Sequence, residues 1–193
     1  MAFAVSLWFT PSDEQPVRDM WKAIHEFGIS SFLWVGAFRP HVTLAVCEQL
    51  DVVRFRSELD TLLHDITPFE VRLSFLGCFF GPPETVSVSG NAVFLGVTPS
   101  DPLLKLHSQV HQLLQQCDAE PRPYYLPHRW NPHCSVAREV TPSQVCEVLS
   151  VLQQFQLPIV ATANRIGLID TPAEIELDYC WLGKDNKEVE PTR

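Results

Sequence analysis

Two short stretches decide how this chain folds: Arg39-Pro-His-Val-Thr-Leu-Ala-Val46 and Asn131-Pro-His-Cys-Ser-Val-Ala-Arg138. In each, a proline biases the preceding residue toward extended backbone, and an apolar run follows, so each reads as a strand. Successive side chains of a strand face opposite ways. His41 and Thr43 therefore share one face, with Val42 and Leu44 turned to the core. His133 and Ser135 share a face likewise, with Cys134 and Val136 behind. Each strand presents an imidazole and a hydroxyl to one space.

Outward from these stretches the same grammar recurs. Residues 2–9 alternate and are rich in large apolar side chains, which predicts a strand. Pro11-Ser-Asp-Glu14 supplies capping residues and early acids for a helix to about Phe27, closed by Gly28. After the first Pro-His strand, at 38–46, comes a helix over 52–64 and a strand over 69–80. In that strand Phe69, Val71, Leu73 and Phe75 are set against Glu70, Arg72 and Ser74. Gly81-Pro-Pro83 breaks it, and 85–97 makes one or two further strands. Asp101 then caps a helix with Pro102 at its first position, running to about Cys117. A proline-rich loop over 119–132 leads into the second Pro-His strand at 133–140. A helix at 142–155 and strands at 159–169 and 174–182 complete the series.

Two halves thus share one order: helix, Pro-His strand, helix, long strand, strand. A doubled unit of this kind can close two sheets around a central groove. The expected fold class is α+β, with pseudo-symmetric lobes of antiparallel sheet backed by helices. We read residues 1–183 as one bilobal domain and 184–193 as a polar tail.

Composition narrows the function classes. The chain has 193 residues, 46% hydrophobic and 19% charged, as expected of one globular domain. No apolar run reaches the length of a membrane span. The opening residues are apolar but lack a basic leader and a small-residue cleavage site, so they suit a first strand better than a signal peptide. Six cysteines, at 47, 78, 117, 134, 146 and 180, are widely spaced and mostly in apolar segments. That suggests buried free thiols in a reducing compartment, the cytoplasm. A net charge of −9 and a pI near 5.2 do not suit a grip on long duplex nucleic acid, which needs a basic face. A short phosphate ligand met by a few local arginines remains compatible.

The paired strands suit phosphodiester chemistry. One neutral imidazole can take a proton from the attacking hydroxyl or water, and one imidazolium can give a proton to the leaving oxygen. Thr43 and Ser135 can donate hydrogen bonds to the non-bridging oxygens. A histidine with a hydroxyl two places on is common by accident. The weight lies in context, because both copies follow proline, open an apolar strand and fill the same slot of the repeated order.

This pattern resembles the two-histidine (2H) phosphoesterase superfamily, which includes 2′-5′ RNA ligase-like proteins and cyclic nucleotide phosphodiesterases. Its mark, a pair of His-x-Thr/Ser-x motifs in two pseudo-symmetric lobes, stands here as His41-Val-Thr-Leu44 and His133-Cys-Ser-Val136. The resemblance implies antiparallel lobes with the motifs facing across a cleft, and a monomer. It implies hydrolysis or transfer at 2′,3′-cyclic phosphates or 2′-5′ linkages of a small nucleotide or RNA end, without a metal cofactor. It also implies an arginine three places after the second hydroxyl, where Arg138 stands. The second motif departs from the commonest pattern by having Ser for Thr and Cys for an aliphatic residue; Ser is common in the cyclic phosphodiesterase branches. A binding module that kept the cleft without turnover is the alternative.

Other candidates surround the motifs. Arg39, Arg122 and Arg129 add local positive charge, with Arg138 the favoured phosphate contact. Tyr124, Tyr125, Trp130 and Phe38 can stack a base. His128 with its neighbours lacks the spacing of a metal site. His107 and His111, four apart on a helix, are expected on a solvated face. His25 and His64 suit helix ends.

Overall fold

A computed structural model describes residues 2–81, 90–171 and 175–183, and its strands pair antiparallel throughout. The order is β1 (Phe3–Phe9), α1 (Pro11–Glu26), α2 (Phe32–Val35), β2 (His41–Cys47), α3 (Val52–Leu63), β3 (Phe69–Phe79), β4 (Asn91–Thr98), α4 (Asp101–Gln116), a 3₁₀ turn (Pro123–Tyr125), β5 (His133–Val140), α5 (Pro142–Leu152), β6 (Ile159–Asp170) and β7 (Ile175–Trp181). Local chemistry sets several of these ends. Asp51 accepts from the Arg54 amide to cap α3, and Thr141 and Gln144 form a reciprocal capping box on α5. The short α2 was not expected from the sequence. Of the region read as 85–97, the structure gives β4; residues 85–89, Glu174 and the 184–193 tail lie outside the described residues.

The sheet runs β2-β1-β6-β3-β4-β5, with β7 also on β6. What the sequence suggested as two sheets is one, because β6 is long enough to serve both lobes. Its first half, Ile159 to Ala163, pairs with β3, and its second half pairs with β1 and β7. The β3–β6 ladder is itself symmetric: Phe69 faces Ala163, Leu73 faces Ile159, and Val71 faces Ala161 at the centre. A pseudo-two-fold axis passes there, relating positions ninety apart.

The symmetric unit is β1-α1-β2-α3-β3 against β4-α4-β5-α5-β6, so the strand comes before the first helix of each unit. The units exchange parts. β3 pairs with β4 of the second unit, and β6 with β1 of the first. The helices exchange too, as α1 packs against β5 while α4 packs against β2. One apolar cluster, including Leu7, Phe9, Val42, Leu44, Phe55, Leu95, Val136 and Leu168, runs through both lobes. Burial of such side chains is worth about 1.5–3 kcal/mol each and is the main force closing the sheet. Among the described residues no helix is long and apolar enough to cross a membrane.

Candidate functional site

The outer strands β2 and β5 are brought together by the curl of the sheet, and between them lies a cavity of about 310 Å³. His41, Thr43, His133, Ser135 and Arg138 all line it, with Tyr125 and Phe38.

Alternation alone does not explain this list. From His133 it would send Arg138 to the core side. The β4–β5 register shows why it does not: Phe94 faces Ser135 and Val93 faces Ala137, so Val136 is an extra, bulged residue. A bulge flips the side chains beyond it, and Arg138 returns to the cleft. The first lobe repeats the device. Ser6 faces Thr43 and Val5 faces Ala45, leaving Leu44 as the bulge and returning Val46 to the cavity. Val46 and Arg138 are thus equivalent positions, one apolar and one cationic. A third bulge, at Ser74 in β3, flips Phe75 out of the inward series expected for it, to 54% exposed.

Each imidazole is held in the same way. His41 Nδ1 donates to the Arg39 carbonyl at 2.6 Å, and His133 Nδ1 donates to the Asn131 carbonyl at 2.7 Å. A carbonyl only accepts, so each Nδ1 carries the proton and each Nε2 is left for the cleft. The intervening proline provides the extended backbone that turns the carbonyl two places back onto its histidine. Burial pushes both imidazoles below the usual histidine range. The positive charges of His133 and Arg138 push His41 down further.

The strand carbonyls beside the bulges find partners from the exchanged helices and from the loop before β5. Trp21 of α1 donates its indole N–H to the Ser135 carbonyl at 3.0 Å, and Trp130 does the same for Thr43 at 3.0 Å. His111, ninety positions after Trp21, donates to the Leu44 carbonyl at 3.2 Å, and His107 donates to the Tyr125 carbonyl at 2.9 Å. The expected solvated face for these two histidines is therefore wrong, since α4 turns them toward β2 and the proline-rich loop closes over them, leaving His107 2% exposed. His107 instead clamps the turn that carries Tyr125 into the cleft.

Burial, with the neighbouring His111, lowers the pKa of His107 to about 4. The unfolded chain takes up this proton near 6.5 while the folded chain resists it until about 4. The stabilisation is therefore complete above pH 6.5 and is lost as pH falls from 6.5 toward 4, by at most about 1.4 kcal/mol per pH unit. The midpoint of thermal unfolding should fall through that window, and His107→Gln should flatten the fall. An unchanged slope in the variant would refute this role.

Two residues expected to meet a base stand elsewhere. Tyr124 points to solvent at 79% exposed, outside the cavity lining. Trp130 lies behind β2, its ring parallel to His107 at 3.9 Å between centroids. Of the arginines, Arg39 is paired to Glu14 at 2.8 Å, Arg122 lines the cavity while bridging to Glu48, and Arg129 lies outside the lining. Arg138 makes no ion pair among the described residues, and its guanidinium sits 4.9 Å from the centre of the Phe32 ring, which stacks in turn on Phe38. Sequence reading missed Ala4, Trp21, Leu33, Val46, Ala92, Ile169 and Thr171 in the lining. Only Val46 had a usable signal, its offset of five from His41, matching Arg138 from His133. Among the described residues no group of three or more His, Cys, Asp or Glu side chains converges as metal ligands would.

A family model described as the 2′-5′ RNA ligase superfamily matches residues 9–173 of this chain. No curated relative matches it in sequence. Among solved structures, TT0787 of Thermus thermophilus is similar with a TM-score of 0.62 at 14% identity, over 96% of this chain and 100% of that one. E. coli LigT in apo form gives 0.56 at 13% identity, over 95% and 98%. E. coli LigT complexed with 3′-AMP gives 0.52 at 10%, over 94% and 98%. At these identities the likeness speaks for the fold, the same antiparallel α+β arrangement.

Proposed function

This chain belongs to the 2′-5′ RNA ligase superfamily of two-histidine phosphoesterases, and from that premise we propose a metal-independent phosphodiesterase acting on 2′,3′-cyclic phosphates or small RNA-terminal phosphodiesters. One observation carries the reading: two imidazoles, each with Nδ1 tied to a carbonyl, share one small cavity with two hydroxyls and a guanidinium.

His41, held down by burial and additionally by the charges of His133 and Arg138, is the group that stays neutral and serves as base. Its Nε2 takes a proton from water as the oxygen attacks phosphorus. His133, protonated at Nε2, gives its proton to the departing ribose oxygen as the P–O bond breaks. Solvent then restores both rings. Thr43, Ser135 and Arg138 hold the non-bridging oxygens and stabilise the charge that gathers on them. Tyr125 and Phe38 form the apolar part of the nucleoside seat. The six free thiols, four of them buried, fit a reducing compartment, and we place the protein in the cytoplasm as a monomer.

The test is hydrolysis of 2′,3′-cyclic nucleotides by the purified chain in EDTA. Turnover should persist in chelator, with a bell-shaped kcat/KM whose maximum lies below pH 6.5, because both histidines are shifted downward. Binding without turnover, or turnover that vanishes with chelator, would overturn the proposal.

A further inference from the structure

The two lobes treat their cleft faces differently. In the first lobe Trp8 reaches across Gly167, and both it and its neighbour Arg165 are buried among Tyr179 and Trp181 on β7. In the second lobe the equivalent slots recur, and among the described residues no strand covers them as β7 covers the first. Phe94 reaches across Gly77, where a Cβ would lie 2.4 Å from its ring, and Phe75 reaches across Gly96, at 2.2 Å. Only glycine leaves room for rings lying sideways over the sheet in this way. The Ser74 bulge has put Phe75 and Phe79 on this same face. Phe79 stacks on Phe94 at 4.3 Å and 28°, and both rings touch His133, at 4.9 and 5.1 Å between centroids. Phe79 is nevertheless 40% exposed.

An exposed aromatic strip that begins at an imidazole of the cleft has a natural occupant. The cavity, at about 310 Å³, is at the small end of ligand pockets and accommodates about one nucleotide. A substrate with a nucleoside on each side of the phosphorus must lay the second one outside, and on the His133 side it meets this strip. Base faces stack on aromatic rings without regard to sequence. We propose that Phe79, backed by Phe94 and continued by Phe75, is a stacking platform for the base of the departing nucleoside. The preferred substrate class is then a short single-stranded oligonucleotide rather than a lone cyclic mononucleotide. This rests on the reading of the cleft as a phosphodiesterase site.

The experiment compares a 2′-5′-linked adenylyl dinucleotide with its analogue bearing an abasic departing sugar, titrated onto the folded chain and assayed for turnover in parallel. The intact dinucleotide should bind about 5- to 150-fold more tightly. Phe79→Leu should bring that ratio close to one, and Phe79→Tyr should keep it. A wild-type ratio near one, or a ratio unmoved by Phe79→Leu, overturns the platform. A dimer that Phe79→Leu dissociates assigns the strip to self-association and also overturns it. Base-dependent affinity without any turnover would sink the catalytic reading and leave the platform standing.

Discussion

Replacing either His41 or His133 by alanine is expected to lower kcat/KM by roughly 10²–10⁴, the usual worth of one positioned acid or base. The double variant should lose little more than the worse single one. Base and acid act on the same transition state, and once either proton transfer fails the other group has little left to assist. Both rings line the cavity and each makes one hydrogen bond, from Nδ1 to a carbonyl two residues back, so removing one should leave the fold intact. The check is steady-state kinetics of three variants alongside thermal melts. Retention of activity within about tenfold in either single variant, with an unaltered melt, would remove that histidine from the chemistry.

The second large effect is expected at Glu14, which touches no substrate. Its side chain is only 3% exposed on the first turn of α1. One oxygen accepts from Arg39 Nε and Nη2 at 3.0 and 2.8 Å, and the other accepts from Arg18 Nη2 at 3.0 Å and more weakly from its Nε. Removing a buried carboxylate strands the cations paired with it, which commonly costs about 3–5 kcal/mol. Arg18 is partly in water, so we expect about 2–3 kcal/mol for Glu14→Ala, a fall in melting temperature of roughly 5–10 °C. Activity should suffer separately. The residue that Glu14 grips by its side chain is the one whose carbonyl fixes the His41 tautomer. A loosened Arg39 should lower kcat about tenfold with little change in KM, and Glu14→Gln should restore part of it. A melt within about 1 °C of wild type would show that the network contributes nothing.

The fold was legible because its signals are local. A proline before an apolar run, Asp and Thr at helix starts and the alternation of β3 through Leu73 depend on neighbours in the chain. The positions of His41, Thr43, His133 and Ser135 on one face followed from the same short-range rule. What was hidden depends on partners far away. Val46, Phe75 and Arg138, the last legible only through the family resemblance, owe their direction to bulges at Leu44, Ser74 and Val136, and a bulge is defined only against the strand opposite. His107 and His111 look like surface histidines on their own helix; burial comes from α4 crossing to the other unit's strand. Trp130, read as a base-stacking ring, proved to be a buttress because its indole N–H answers a carbonyl that the Leu44 bulge had freed.

The passing of β3 and β6 between the units has a consequence for how the protein comes into being. A ribosome that has delivered everything through β5 has already released both histidines, yet β1 still has no neighbour on its inner side and β3 lacks its central rung. Neither lobe can be finished ahead of the other, since the same late strand completes both. The cleft between β2 and β5 is therefore complete only when residues 159–170 join β3 to β1, and a long-range pairing of that kind is made late.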